Sequence, residues 1–74
     1  MQQYRNLGGN SGVVAFEIGS DYIKVQFRHS ATYTYTYASA GSHNIETMKK
    51  LAVGGQGLNT FISKNVKDRY ASKA

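Results

Sequence analysis

The stretch from Tyr22 to Tyr37, YIKVQFRHSATYTYTY, constrains the chain more than any other. Two alternating runs flank a short polar segment, and a period of two over that length predicts a β-hairpin. Strand two is expected from about Tyr22 to Arg28, and strand three from about Thr32 to Tyr37, where Thr and Tyr both favour the pleated backbone. The loop between them decides which face carries the tyrosines. A three-residue loop, His29 to Ala31, sets Phe27 opposite Tyr33 and Val25 opposite Tyr35, so the rings join the apolar face. A two-residue loop, His29-Ser30, sets them beside Lys24 and Gln26 and displays an aromatic, cationic platform.

The longer loop is the expected one. Strand three offers only Thr or Tyr, and a core face without Tyr would bury three threonine hydroxyls. A tyrosine ring supplies apolar area while its hydroxyl reaches the rim. The loop also lacks the Asn-Gly or Gly-Asn pair that marks two-residue turns. Tyr33, Tyr35 and Tyr37 are therefore read as a structural aromatic stripe.

Residues 1–10, MQQYRNLGGN, lack periodicity and contain Gly8-Gly9, so they read as a flexible arm, with Tyr4 or Leu7 tucked against the fold as the alternative. In strand one, VVAFEI, Val14, Phe16 and Ile18 fall on one side and Val13, Ala15 and Glu17 on the other. Gly19-Ser20-Asp21 has turn chemistry. Ala38 to Gly41 is a small-residue connection, and Ser42, His43 or Asn44 is placed to cap a helix carrying Ile45, Met48, Leu51 and Ala52 on one face. Gly54-Gly55-Gln56-Gly57 suits a left-handed helix end. Leu58, Phe61, Ile62, Val66 and Tyr70 then form the stripe of a second helix, and residues 71–74 are expected to fray. The order predicts an α+β domain over 11–70: a three-stranded antiparallel meander followed by two helices on one sheet face.

A chain of 74 residues has room for one core and little else. It has no cysteine, so neither a disulfide framework nor a thiolate metal site is available. It has no apolar run long enough to span a bilayer and no signal-like segment, which leads to the expectation of a cytoplasmic protein. Nine Lys and Arg against four Asp and Glu give a formal charge of +5, which favours a polyanionic partner such as RNA or DNA.

Catalytic patterns are missing. His29 and His43 are the only imidazoles, and neither has a second histidine three or four residues away. Glu17, Asp21, Glu46 and Asp68 lie on separate elements, and no serine sits in a nucleophile elbow. GGQG follows a helix instead of a strand and reads as a helix-to-helix turn, not a phosphate cradle. No enzyme, metal or cofactor is expected.

The frame Ser11-x-Val13, Ile23-x-Val25-x-Phe27, Tyr33-x-Tyr35, Met48-Lys49-x-Leu51-Ala52, Gly55-x-x-Leu58-Asn59-x-x-Ile62 and Tyr70 resembles the KTSC domain. That small domain is named for its occurrence at the C-terminus of some lysyl-tRNA synthetases, and it also occurs alone in bacteria and phages. The likeness covers roughly residues 11–70, with Ser30 where the hairpin loop usually has Gly and Ala38 to Gly41 in place of the usual Val-Pro. It implies the α+β fold and, by association with a tRNA-handling enzyme, a nucleic-acid role.

The expectation is a small non-enzymatic binding module with Lys24, Arg28, Lys64 and Lys67 as phosphate contacts. Lys24 and Arg28 would line an open sheet face of threonines with no ring for stacking. The alternative is a protein-interaction or self-association module, a monomer or weak homo-oligomer, in which the exposed edge of strand one or three pairs with another chain.

Overall fold

A computed structural model describes residues 1–9 and 11–74 and shows a small α+β domain built on one antiparallel sheet. Its five strands lie side by side in chain order: β1 (Gln2–Gln3), β2 (Val13–Ile18), β3 (Tyr22–Phe27), β4 (Thr32–Thr36) and β5 (Ser72–Lys73). Between β4 and β5 come α1 (Tyr37–Ala40), α2 (Ser42–Gly54) and α3 (Leu58–Phe61), the last running on into a π-helical turn, Ile62–Val66. Among the described residues no helix is long and apolar enough to cross a membrane.

The hairpin keeps the expected face but not the expected pairing. Val25 lies opposite Tyr33 and Ile23 opposite Tyr35, two residues away from the anticipated register. His29 takes a positive φ of 57° in the turn, and the Ser30 amide donates to the Phe27 carbonyl. A slip of two preserves side-chain parity, whereas a slip of one would have inverted every side chain. Ile23, Val25 and Tyr35 are therefore all buried.

The alternation expected for the first long strand is broken. Val13 and Phe16 are both buried, which a strict period of two forbids, and a bulge between Val13 and Ala15 supplies the extra residue. Val13 thus takes the core place anticipated for Val14, and Ile18 emerges 40% exposed at the strand end.

Both ends of the chain depart from the expected arm and tail, giving five strands where three were anticipated. Gln2 pairs with Phe16 and Gln3 with Ala15, and the Tyr4 amide donates to the Val14 carbonyl. Tyr4 is only 3% exposed, and its hydroxyl accepts from the Leu58 amide. Arg5 then donates to the Val53 carbonyl at the end of α2, where a cation suits the helix dipole, and the Leu7 amide donates to Gly55. Of the two alternatives for tucking, Tyr4 is inside and Leu7 stays 62% exposed. Asn10, the last residue of the anticipated arm, lies outside the described residues.

At the other end Ser72 and Lys73 pair with Thr34 and Tyr33, and Ala74 exchanges backbone hydrogen bonds with Thr32. These contacts cover the outer edge of β4, whose amides and carbonyls would otherwise lie bare. Two-residue strands carry no periodicity, which is why sequence pattern passes over them.

Thr36 and Ser39 each bond the other's backbone amide through a side-chain hydroxyl. This reciprocal cap turns the strand directly into α1, so residues 37–40 are a helical turn instead of a loose connection. Gly41 precedes α2 without a side-chain cap, and Asn44 donates back to the Ala40 carbonyl. Gly55, at φ +75°, ends α2, and a Cβ there would also lie 2.8 Å from that of Arg5.

One core results: Tyr4, Val13, Phe16, Ile23, Val25 and Tyr35 from the sheet side meet Ile45, Met48, Ala52, Leu58, Ile62 and Val66 from the helices. Tyr4→Ala and Tyr35→Ala should each cost about 3–5 kcal/mol in chemical denaturation, the range for emptying a large aromatic site. An unchanged midpoint for Tyr4→Ala would mean that the N-terminal segment is free in solution after all.

Candidate functional site

The four cations expected as phosphate contacts lie apart, Lys24 on the sheet and Lys64 and Lys67 on and just after the π-helical turn. Lys24 stands on the open face, opposite Glu17 on β2 and Thr34 on β4, so a carboxylate already shares its neighbourhood. That face also carries a ring that pattern reading left out. Tyr22 donates its hydroxyl to Glu17 at 3.1 Å, and the Lys24 ammonium lies 6.0 Å from its ring centre. A Cβ on Gly19 would sit 1.9 Å from the Tyr22 ring, so the missing side chain makes room for it. The bond to Glu17 raises the Tyr22 pKa above its ordinary value.

Arg28 is exposed in the hairpin turn, its amide donating to the Gly12 carbonyl, and its side chain borders a hollow beside Asn6 and Val14. Lys64 and Lys67 belong to the other side of the molecule, on and just after the π-helical turn.

Lys67, one of three non-glycine residues at positive φ among those described, has φ 33° and ψ −103°. Its amide donates to the Ile62 carbonyl at 2.7 Å, the five-residue bond of the π turn, and its carbonyl accepts the Tyr35 hydroxyl at 2.9 Å. A residue held in so sparsely populated a conformation costs roughly 1–3 kcal/mol and persists only where its surroundings impose it. Here both flanking hydrogen bonds impose it, and the wider π turn opens a cleft against the hairpin.

That cleft has a volume of about 450 Å³ and is lined by Phe27, Ser30, Tyr33, Tyr35, Asn59, Ile62, Ser63 and Lys67. Its aromatic wall is continuous. Phe27 meets Tyr33 edge-on at 5.4 Å, and Tyr70 meets Tyr33 edge-on at 4.8 Å and Tyr35 at 6.3 Å. Lys73 on β5 places its ammonium 5.5 Å from the Tyr33 ring. Tyr70 is not part of a helical stripe, as its spacing suggested. The helix has ended, and Tyr70 swings back onto the sheet tyrosines.

Tyr37 also leaves the expected stripe. As the first residue of α1 it is 37% exposed and donates to the Glu46 carboxylate, which pairs with Lys49 at 2.8 Å. The Lys49 bond holds the Glu46 pKa down, and the Glu46 bond holds that of Tyr37 up. The aromatic set of this fold is therefore Phe27, Tyr33, Tyr35 and Tyr70.

Asn59, expected to bond the glycine turn or the sheet end, makes no side-chain hydrogen bond among the described residues, in contrast to Asn44 and Asn65, which donate back to Ala40 and Phe61. It lines both the aromatic cleft and a smaller polar hollow of about 250 Å³ beside Tyr4, Ser11 and Gln56. The glycine stretch itself is a turn between helices, with the Leu58 amide already taken by Tyr4. His29 and His43 are exposed, and among the described residues no group of three His, Asp or Glu side chains could hold a metal ion.

No family model, curated protein or solved structure matches the chain.

Burial, followed by the neighbouring Tyr33, Tyr70 and Asp68, pushes the Tyr35 phenol up to about 12. In the unfolded chain it returns to about 10. The fold therefore binds this proton more tightly than the unfolded chain, and that contribution is whole below pH ~10. It is lost as pH rises through about 12. Spectrophotometric titration should show one tyrosine ionising well after the exposed ones, and Tyr35→Phe should remove that step. It should also flatten the fall in stability over the same alkaline window.

Proposed function

We propose that this chain is a small non-enzymatic binding module, a divergent relative of the KTSC domain, that takes nucleic acid at the aromatic cleft. The observation that carries the reading is the pair of lysines at that cleft, Lys67 and Lys73. The segment 62–73 supplies Lys64, Lys67, Arg69 and Lys73 against Asp68 alone. Lys67 lines the cleft and Lys73 lies over one of its rings. Lysines grouped beside aromatic rings suit a polyanion that also carries planar bases.

This places the site on the helix side of the sheet instead of on its open face. Lys24 is a poorer phosphate contact, because Glu17 stands directly opposite. Self-association, the second reading, would now run through the short edge strands β1 and β5, which pair with Ala15 and Phe16 of β2 and with Tyr33 and Thr34 of β4.

Fluorescence anisotropy with short labelled RNA and DNA, at low and moderate salt, tests the proposal. Binding should weaken steeply with salt, and Lys64→Glu with Lys67→Glu should reduce the salt slope by about 1 for each phosphate that the protein no longer neutralises. Lys24→Glu should leave affinity nearly unchanged. An absence of binding at low salt would refute the proposal, and an equal loss from Lys24→Glu would return the site to the open sheet face.

A further inference from the structure

We infer that the cleft between the hairpin and the π-helical turn seats an unpaired nucleobase, with the Asn59 carboxamide reading the edge of that base. The inference rests on the nucleic-acid reading and narrows its ligand to single strands. A volume of about 450 Å³ lies within the range of small-molecule clefts, roughly 300–1,000 Å³. Its wall is built by Phe27, Tyr33 and Tyr35, and a planar heterocycle is the part of a nucleotide that gains from contact with such rings.

The polar groups suit the same ligand. Asn59 presents a donor and an acceptor side by side, the pairing found along a base edge. Its carboxamide has no partner among the described residues, while Asn65, on the following π-helical turn, is bonded to Phe61. A group of this kind at a cleft wall has its hydrogen bonds available for a ligand. Lys67 completes the site with a charge for the flanking phosphate. Its strained backbone is held by the Tyr35 hydroxyl, so the ring that helps form the wall also anchors the lysine that would meet the backbone of the strand. A duplex keeps its bases stacked and paired, and only a single strand or an unpaired loop can offer one to a cleft.

Three probes of equal length separate this inference from the reading beneath it: a single-stranded oligonucleotide, the same sugar-phosphate strand with abasic sites, and a duplex. The expected result is that the intact single strand binds roughly fivefold to a hundredfold more tightly than the abasic strand, the range for a base held against aromatic side chains. Asn59→Ala should lose several-fold in affinity for the intact strand, none for the abasic strand, and keep the wild-type denaturation midpoint. Nuclear Overhauser contacts should join base protons to the rings of Phe27 and Tyr33. Equal binding of intact and abasic strands would overturn the base seat while leaving the charged surface as the binding site. Base contacts to Tyr22 instead would also overturn it, moving the base to the open sheet face. Failure of all three probes to bind would overturn both the seat and the nucleic-acid reading.

Discussion

Tyr35 joins the sheet to the rest of the molecule through both halves of its side chain. The ring is buried among Ile23 and the helix residues of the core, and the hydroxyl reaches past them to the Lys67 carbonyl. A phenylalanine would supply the apolar area alone, and a shorter polar residue the hydrogen bond alone. Because the bond ends on a backbone carbonyl, it fixes where the chain leaves the π-helical turn. From that point Tyr70 can return to Tyr33 and Tyr35, and Ser72 and Lys73 can pair with β4.

The far side of the fold is tied down by a similar device. Tyr4 buries its ring, and its hydroxyl accepts the first amide of α3. Arg5 and Leu7 then hold the end of α2 and the Gly55 turn. Each end of the chain thus brings a tyrosine and a two-residue strand back to the central three strands. A small domain without cysteine has few other ways to close its sheet edges. The candidate cleft lies beside this closure: the hairpin forms one wall, and α3 with the π-helical turn forms the other.

The hairpin shows how a sequence reading can be right about chemistry and wrong about geometry. Alternation in YIKVQF and TYTYT carries the parity of each strand separately, and the turn at His29 couples the two so that Tyr33 and Tyr35 share a face with Ile23 and Val25. The partners themselves depend on the turn, and RHSA does not name its turn type. The helix stripes were legible in part: Ile45, Met48, Ala52, Leu58, Ile62 and Val66 are buried, whereas Leu51 and Phe61 are only partly buried and Tyr70 lies beyond the π-helical turn. Val13 was misplaced because a bulge adds a residue without leaving any mark in composition. Tyr37 was misplaced because the Thr36–Ser39 cap ends the strand one residue before the Thr-Tyr alternation does.

The sequence alone determined the three central strands, the apolar stripe of α2 and the excess of positive charge. These follow from local periodicity and residue chemistry, which act over a few neighbours. Tertiary structure decided the strand count, the face on which Tyr33 and Tyr35 sit, and the juxtaposition of Phe27, Tyr33, Asn59 and Lys67 in one cleft. Those depend on the hairpin pairing and on contacts between residues dozens of positions apart, such as Tyr4 with Leu58 and Tyr35 with Lys67. No repeat within either segment encodes such a meeting; it exists only once the core has closed.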